Sequence, residues 1–141
     1  MHEEKNGMSS TRKGNCLCGA VSFETVIEEP HFHVCHCETC RKWGAPAMAC
    51  PVKSITVKNG SSLKHFSSSE YAERGFCGDC GSHLYWRMKD GSYNAVHIGV
   101  LHNSEDLLFQ TQLFVDAKPD NYSYANDTAM ITGEQLFAMF K

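Results

Sequence analysis

Eight cysteines in 141 residues constrain this chain more than any other feature of its sequence. Seven of them form a C-x-C pair, a C-x-C-x-x-C triplet and a C-x-x-C pair, which are Cys16 and Cys18, then Cys35, Cys37 and Cys40 (the triplet), then Cys77 and Cys80. Cysteines separated by one or two residues direct their sulfur atoms toward a common centre, which suits a metal ion better than loop-closing disulfides. The spacing therefore predicts metal ligation, with zinc as the ion.

The remaining composition is that of an ordinary globular protein, with 42% hydrophobic and 21% charged residues. A formal net charge of −3 provides no basic surface for nucleic acid. The apolar runs are far shorter than the roughly 18 residues of a membrane span, and residues 1–13 lack the apolar stretch of a secretory signal. We therefore expect a cytoplasmic protein with reduced cysteines, rather than a secreted one with four disulfides, and neither a membrane nor a nucleic-acid partner.

Hydrophobic periodicity predicts a mainly β protein, built as one domain of antiparallel sheets over residues 14–141 after a flexible leader of residues 1–13. Asn59-Gly60 lies between two strand-like runs and is a strong hairpin signal, and Asp90-Gly91 joins two further runs. The predicted strands are residues 21–27, 31–34, 54–58, 63–66, 71–76, 83–88, 93–100 and 113–115.

Helix is predicted at two places only. A short helical turn over residues 38–42 would let the sulfurs of Cys37 and Cys40 converge. Thr132 followed by Gln135 is a capping-box pattern that predicts the start of a terminal helix. The apolar face of that helix would consist of Leu136, Phe137 and Phe140.

A structural zinc site usually takes four ligands, contributed as two pairs from separate turns. The two cysteine pairs therefore predict one closed site, the four-cysteine cluster of Cys16, Cys18, Cys77 and Cys80. The triplet offers three ligands to a second site, which leaves one coordination position open as in catalytic zinc sites. Alternatively a fourth protein ligand closes this second site, and the possible ligands are His33, His36, Cys50, His97 and His102.

Four side chains near the cysteines are possible contacts for a ligand. Arg41 and Lys42 follow the triplet directly and could offset thiolate charge or bind a substrate carboxylate, or they face water as ordinary surface cations. Trp43 and Trp86 could line a pocket or belong to the core. Cys50 is expected to be a buried small residue, and its alternative role is an extra thiol in a redox or zinc sensor.

Three stretches of this sequence resemble the glutathione-dependent formaldehyde-activating enzyme family, which also includes centromere protein V. They are GNCLCGAVSF at 14–23, CHCETCRKWGA at 35–45 and FCGDCGSHLYW at 76–86. Weaker similarity continues at residues 98–101 and 113–119, so that the resemblance covers residues 14–122.

The resemblance implies a fold of antiparallel sheets around a structural zinc, shared with a small Rab-GTPase-binding zinc protein. It implies two zinc ions per chain, a structural one in the four-cysteine cluster and a catalytic one in the triplet. The implied activity is that of a carbon–sulfur lyase of the S-(hydroxymethyl)glutathione synthase type. Its substrates would be a thiol such as glutathione and formaldehyde or a related aldehyde.

Two departures from the family pattern bear on the substrate. Gln112 stands where many members have histidine, and Asn121-Tyr122 stands where many have tryptophan. A non-catalytic zinc-stabilised binding module is the alternative to an enzyme, because fold does not fix function. The two differ in one property, since the enzyme needs a triplet site that exchanges its fourth ligand with an added thiol.

Overall fold

β-Strands dominate the computed structural model, which describes residues 9–44 and 47–139. In chain order the strands are β1 Ser10–Asn15, β2 Ser22–Ile27, β3 His31–Cys35, β4 Ala47–Val52, β5 Ser54–Asn59, β6 Leu63–Ser67, β7 Ala72–Cys77, β8 His83–Met88, β9 Asn94–His97, β10 Leu108–Leu113 and β11 Ala129–Ile131. The helical elements are α1 Glu38–Gly44, α2 Gly133–Met139 and short 3-10 turns at Ile98–Val100 and Val115–Ala117.

The strands form two sheets. A three-stranded antiparallel sheet has the order β1-β2-β5, and an eight-stranded sheet has the order β11-β10-β3-β4-β9-β8-β7-β6. Within the described residues, the ladders of the larger sheet are antiparallel except those that join β10 to β3 and to β11, which are parallel. The predicted mainly β fold is confirmed, and the two parallel ladders make the larger sheet mixed.

Both sheets contribute to one hydrophobic core. Phe23 and Ile27 on β2 pack in the same cluster as Leu84 on β8 and Val96 on β9, and each is at most 2% exposed. This follows from the period-two pattern of β2, whose alternate side chains are buried. Cys50 on β4 is fully buried in this cluster, as predicted, and burial raises the pKa of its thiol to about 11.

The leader prediction is wrong for residues 10–13. They form most of β1, which pairs with β2 from Ser10 opposite Ile27 to Asn15 opposite Ser22. These residues carry no apolar pattern, because an edge strand is held mainly by its backbone hydrogen bonds and tolerates polar residues. Residues 1–8 lie outside the described part of the chain.

Three strand predictions also need correction. The runs that flank Asn59-Gly60 do form β5 and β6, but these strands belong to different sheets and make no hairpin. β9 ends at His97, where a 3-10 turn begins. Leu113 ends β10, because Phe114 has a left-handed backbone (φ 57°) that a strand cannot continue through.

Strands β4 and β11 were not predicted, nor was β10 before Leu113. β4 has the sequence AMACPV, whose small residues and proline carry little strand signal, and its position between β3 and β9 comes from tertiary packing. β8 and β9, by contrast, do pair across the Asp90-Gly91 turn, where Gly91 has a positive φ of 81°.

Both predicted helices are present. α1 extends the expected turn to Gly44. The capping box at α2 is confirmed, since the Thr132 amide donates to Gln135 Oε1 (2.8 Å) and the Gln135 amide donates to Thr132 Oγ1 (3.1 Å). Phe140, assigned to the apolar face of this helix, lies outside the described residues. In the described ranges, no helix has the length and apolar character needed to cross a membrane.

Candidate metal centres and their surroundings

The four-cysteine cluster has the geometry of a tetrahedral metal site. Its four Sγ atoms lie within 4.8 Å of one another, with Cys16 Sγ and Cys18 Sγ 3.7 Å apart and Cys18 Sγ and Cys77 Sγ 3.8 Å apart. Tetrahedral zinc with Zn–S bonds of about 2.3 Å separates its sulfurs by about 3.8 Å. The four sulfurs, with Cys80 completing the set, therefore fit zinc.

Hydrogen bonds join three of the four sulfurs to amide or hydroxyl groups. The Val21 amide donates to Cys16 Sγ (3.3 Å), and the Asp79 amide donates to Cys77 Sγ (3.4 Å). A hydrogen bond with the Ser82 hydroxyl, with Oγ 3.2 Å from the sulfur, is the largest cause that lowers the pKa of Cys80 to about 5.

This cluster joins the two sheets. Cys16 and Cys18 lie in the turn between β1 and β2 of the smaller sheet, whereas Cys77 ends β7 and Cys80 precedes β8 in the larger one. Gly19 and Gly81 have φ near +80° (83° and 81°), which lets each turn reverse beside its cysteines. A metal held here links chain segments about 60 residues apart and closes one end of the core, consistent with a structural role.

The triplet forms a second group of sulfurs. Cys35 ends β3, Cys37 precedes α1 and Cys40 lies inside it, and their Sγ atoms are within 4.8 Å of one another. Cys35 and Cys40 are buried (9% and 8% exposed), while Cys37 is half-buried. Hydrogen bonds with Cys35 and Cys40 lower the pKa of Cys37 well below its usual range. The triplet can hold a metal ion, with access from solvent on the side of Cys37.

Among residues 9–44 and 47–139, no fourth histidine, cysteine or carboxylate joins the triplet. His102 Nε2 is 2.5 Å from Asn15 Oδ1, and Cys50 lies in the core. His33 and His97 each have a buried Nδ1 without a hydrogen-bond partner in the described structure, but neither ring belongs to the sulfur group. All eight cysteines are described, and none is in a disulfide.

His36 is held by the residues at the two departures from the family pattern. Its Nε2–H donates to Gln112 Oε1 (2.8 Å), which leaves Nδ1 to accept from the Tyr122 hydroxyl (2.7 Å). The Gln112 amide in turn donates to Thr128 Oγ1 (3.0 Å). His36 is fully buried and Gln112 is 2% exposed. Gln112 therefore orients the ring of His36, which lies between Cys35 and Cys37 in the sequence. Both ring nitrogens of His36 are occupied by hydrogen bonds, so His36 is no metal ligand.

Gln112→Leu is expected to destabilise the protein by about 1–3 kcal/mol, because it leaves the buried His36 Nε2–H and Thr128 without their partner. Gln110→Leu is the matched control, since Gln110 is exposed on the same strand, and its effect should stay within about 0.5 kcal/mol. Urea unfolding of both variants measures the difference in unfolding free energy. The midpoints are compared provided that the slope of the unfolding free energy against urea concentration is the same for both. Equal midpoints for the two variants would show that the His36 network contributes nothing to stability.

The basic residues after the triplet differ in their surroundings. Arg41 is half-buried, and its Nε donates to the His36 carbonyl (2.9 Å) while Nη2 donates to the Ala117 carbonyl (3.5 Å). Lys42 is 77% exposed and forms an i,i+4 ion pair with Glu38 (3.4 Å). Arg41 thus connects α1 to the 3-10 turn after β10, whereas Lys42 is a surface cation.

The two tryptophans also differ in their surroundings. Trp43 stacks on His83 (centroids 4.8 Å apart) and on Phe66 (5.9 Å), and it lines a cavity of about 380 Å³ beside α1. Trp86 instead packs edge-on against Tyr93, with centroids 5.8 Å apart. The pocket prediction therefore holds for Trp43, while Trp86 is not among the residues that line this cavity.

Arg74 was not predicted as a site residue. This β7 residue is only 4% exposed, and its Nη2 donates to Cys40 Sγ at 3.5 Å. Its guanidinium carbon lies 5.9 Å from the centre of the Trp43 ring. The sequence around Arg74 is an ordinary strand pattern, and only the fold reveals that its side chain reaches the triplet.

Comparison with known proteins assigns the family. Residues 11–117, which include all seven clustered cysteines, match the glutathione-dependent formaldehyde-activating enzyme family, and this chain belongs to that family. An uncharacterized lyase of Schizosaccharomyces pombe is 38% identical over 128 residues, which cover 88% of this chain and 93% of the relative. A crystal structure of a Rhodobacter sphaeroides protein matches with a TM-score of 0.53 and 26% identity, over 64% of this chain and 88% of that one.

Proposed function

We propose that this protein is a zinc-dependent carbon–sulfur lyase that joins a thiol such as glutathione to formaldehyde or a related aldehyde, and catalyses the reverse reaction. The observation that carries the proposal is the triplet, whose three sulfurs have one partly exposed member and no fourth ligand among the described residues. Family membership and the name of the fission-yeast relative support the same class of reaction.

The triplet would hold a zinc ion through Cys35, Cys37 and Cys40, and the four-cysteine cluster would hold a second, structural one. Zinc in the triplet would supply a cation that favours thiolate over thiol and polarises a carbonyl oxygen. The buried Cys35 and Cys40 form the closed side of this site. A substrate would therefore approach beside Cys37.

The reaction adds a thiol across a carbonyl group. The substrate thiol loses its proton, and its sulfur forms a bond to the aldehyde carbon as the carbonyl π bond breaks. The carbonyl oxygen takes up a proton, so that RSH and CH2O give RSCH2OH with no oxidation or reduction. Cleavage of the same carbon–sulfur bond in the product is the lyase direction.

Arg41 would contact the substrate. It is half-buried next to Cys40, and two backbone carbonyls hold its side chain in place. Its positive charge would bind a carboxylate of the thiol. Lys42 has no such support, because it is exposed and paired with Glu38.

Exchange spectroscopy tests the activity directly. Magnetisation transfer between formaldehyde and its glutathione adduct should be faster with the zinc-loaded protein than without protein. The uncatalysed addition proceeds in water by itself, so its rate must be subtracted. A rate equal to this background, for protein with both sites loaded, would contradict the lyase proposal.

Cobalt placed in the triplet should change its visible spectrum when glutathione is added, because sulfur then replaces oxygen as the fourth ligand. Absorption spectroscopy of the cobalt-substituted protein measures the change. Cys50→Ala should respond like the parent, since Cys50 lies in the core outside both sulfur groups. An unresponsive spectrum in the parent, or a response that appears only in Cys50→Ala, would mean that the site is closed. The non-catalytic binding module would then replace the enzyme.

A further inference from the structure

Arg74 is a buried cation without a carboxylate partner in the described part of the chain. Its side chain lies on β7 with 4% exposure, and none of the ion pairs between described residues involves it. Its Nε is buried and has no hydrogen-bond partner in the described structure. Arg87 on the neighbouring strand shows the usual arrangement, since it is half-exposed and pairs with Glu73 at 2.7 Å.

Such a charge needs compensation. Moving a charged group out of water costs several kcal/mol unless an opposite charge or several hydrogen bonds replace the water. The group that Arg74 does contact is the sulfur of Cys40, at 3.5 Å. The triplet is therefore the source of negative charge that this guanidinium faces.

Charge arithmetic agrees with this pairing. Three thiolates and one Zn²⁺ carry a net charge of −3 + 2 = −1, which one arginine neutralises. A fourth ligand that is a thiolate makes the centre −2, whereas a neutral ligand leaves it at −1. The attraction of Arg74 for the centre thus grows only when the incoming ligand is an anion.

We propose that Arg74 is a positioning residue that supplies the counter-charge of the triplet centre, and that it favours an anionic fourth ligand over a neutral one. The first part concerns only the metal-binding triplet. The second part rests on the proposed function, since it requires an exchangeable fourth position. The centre of the Trp43 ring lies 5.9 Å from the guanidinium carbon, within the range of a cation–π contact, while Nη2 donates to Cys40.

Metal affinity at the triplet tests the first part. Arg74→Gln and Arg74→Met both remove the charge. The Met variant also leaves no buried polar group, so the affinity can still be measured on it if the Gln variant does not fold. Both should weaken zinc binding at the triplet about tenfold or more in competition with a chelator. Arg74→Lys should stay within about threefold of the parent, and Arg87→Gln should leave the affinity unchanged. Equal affinities for the parent and the neutral variants would overturn the proposal.

Fourth-ligand preference tests the second part. The cobalt-substituted proteins are titrated with 2-mercaptoethanol, whose only charge is its thiolate, and with imidazole, which binds as a neutral ligand. Arg74→Met should lower the thiol affinity about tenfold and the imidazole affinity less than about twofold. Equal losses for both ligands would overturn the charge preference. A parent protein that binds neither ligand would refute the proposed function, while the zinc affinities would still decide the first part.

The parent protein provides a readout that needs no variant. The guanidinium N–H resonances of Arg74 should shift when metal is added to the triplet. The reason is that the acceptor of the Nη2 hydrogen bond, Cys40 Sγ, then becomes a metal-bound thiolate. The resonances of Arg87 should stay where they are. An unchanged Arg74 signal would overturn the proposal even if the neutral variants failed to fold.

Discussion

Cys80→Ala is expected to leave the protein unfolded at room temperature. The variant removes one ligand of the cluster that joins the two sheets, whose sulfurs come from Cys16, Cys18 and Cys77 as well. Structural zinc contributes about 10–16 kcal/mol to folding in zinc-finger peptides, which is as large as the whole stability of about 5–15 kcal/mol of a typical domain. Circular dichroism and the dispersion of NMR signals, measured on protein purified under reducing conditions, should show loss of tertiary structure.

Cys50→Ala is the control for this prediction. Cys50 is as deeply buried as Cys16 and Cys77, but it lies outside the sulfur groups. Its removal creates only a small cavity, so the variant should fold with a loss of about 1 kcal/mol. If Cys80→Ala were as heat-stable as the parent, the pairing of the first and last cysteine pairs around one metal would be wrong.

Cys37→Ala is expected to abolish the proposed activity while the fold survives. Two remaining sulfurs hold zinc poorly, so native mass spectrometry should show the zinc content fall from about two to about one per chain. The four-cysteine cluster is untouched, and Cys37 is half-buried at the edge of the triplet, so the thermal transition should remain cooperative. The exchange rate between formaldehyde and its glutathione adduct should drop to the uncatalysed background.

Two results would contradict this prediction in different ways. Retention of both zinc ions in Cys37→Ala would mean that Cys37 is no ligand, or that another residue replaces it. Loss of one zinc with unchanged exchange would place catalysis outside the triplet. Cys50→Ala should keep two zinc ions and the parent rate, because its sulfur belongs to neither cluster.

Local chemistry explains what could be predicted from the sequence. The grouping of seven cysteines into two sites depends on the affinity of thiolates for zinc and on spacings of one or two residues, both of which are visible in the chain itself. The α2 capping box and the alternating burial of β2 are local for the same reason. The failed hairpin at Asn59-Gly60 marks the limit of this reasoning, because a turn signal does not say which sheet each flanking strand will join.

The surroundings of the triplet were decided by tertiary structure alone. Arg74 is 34 residues from Cys40 along the chain, and Gln112 and Tyr122 are 76 and 86 residues from His36. No periodicity or spacing links residues that far apart. The sequence by itself determined which side chains can bind metal, because ligand chemistry belongs to the residue and its near neighbours. Only the fold determined which buried charge faces the sulfurs, because a guanidinium is buried at low cost only where the assembled structure provides an opposite charge or several hydrogen bonds.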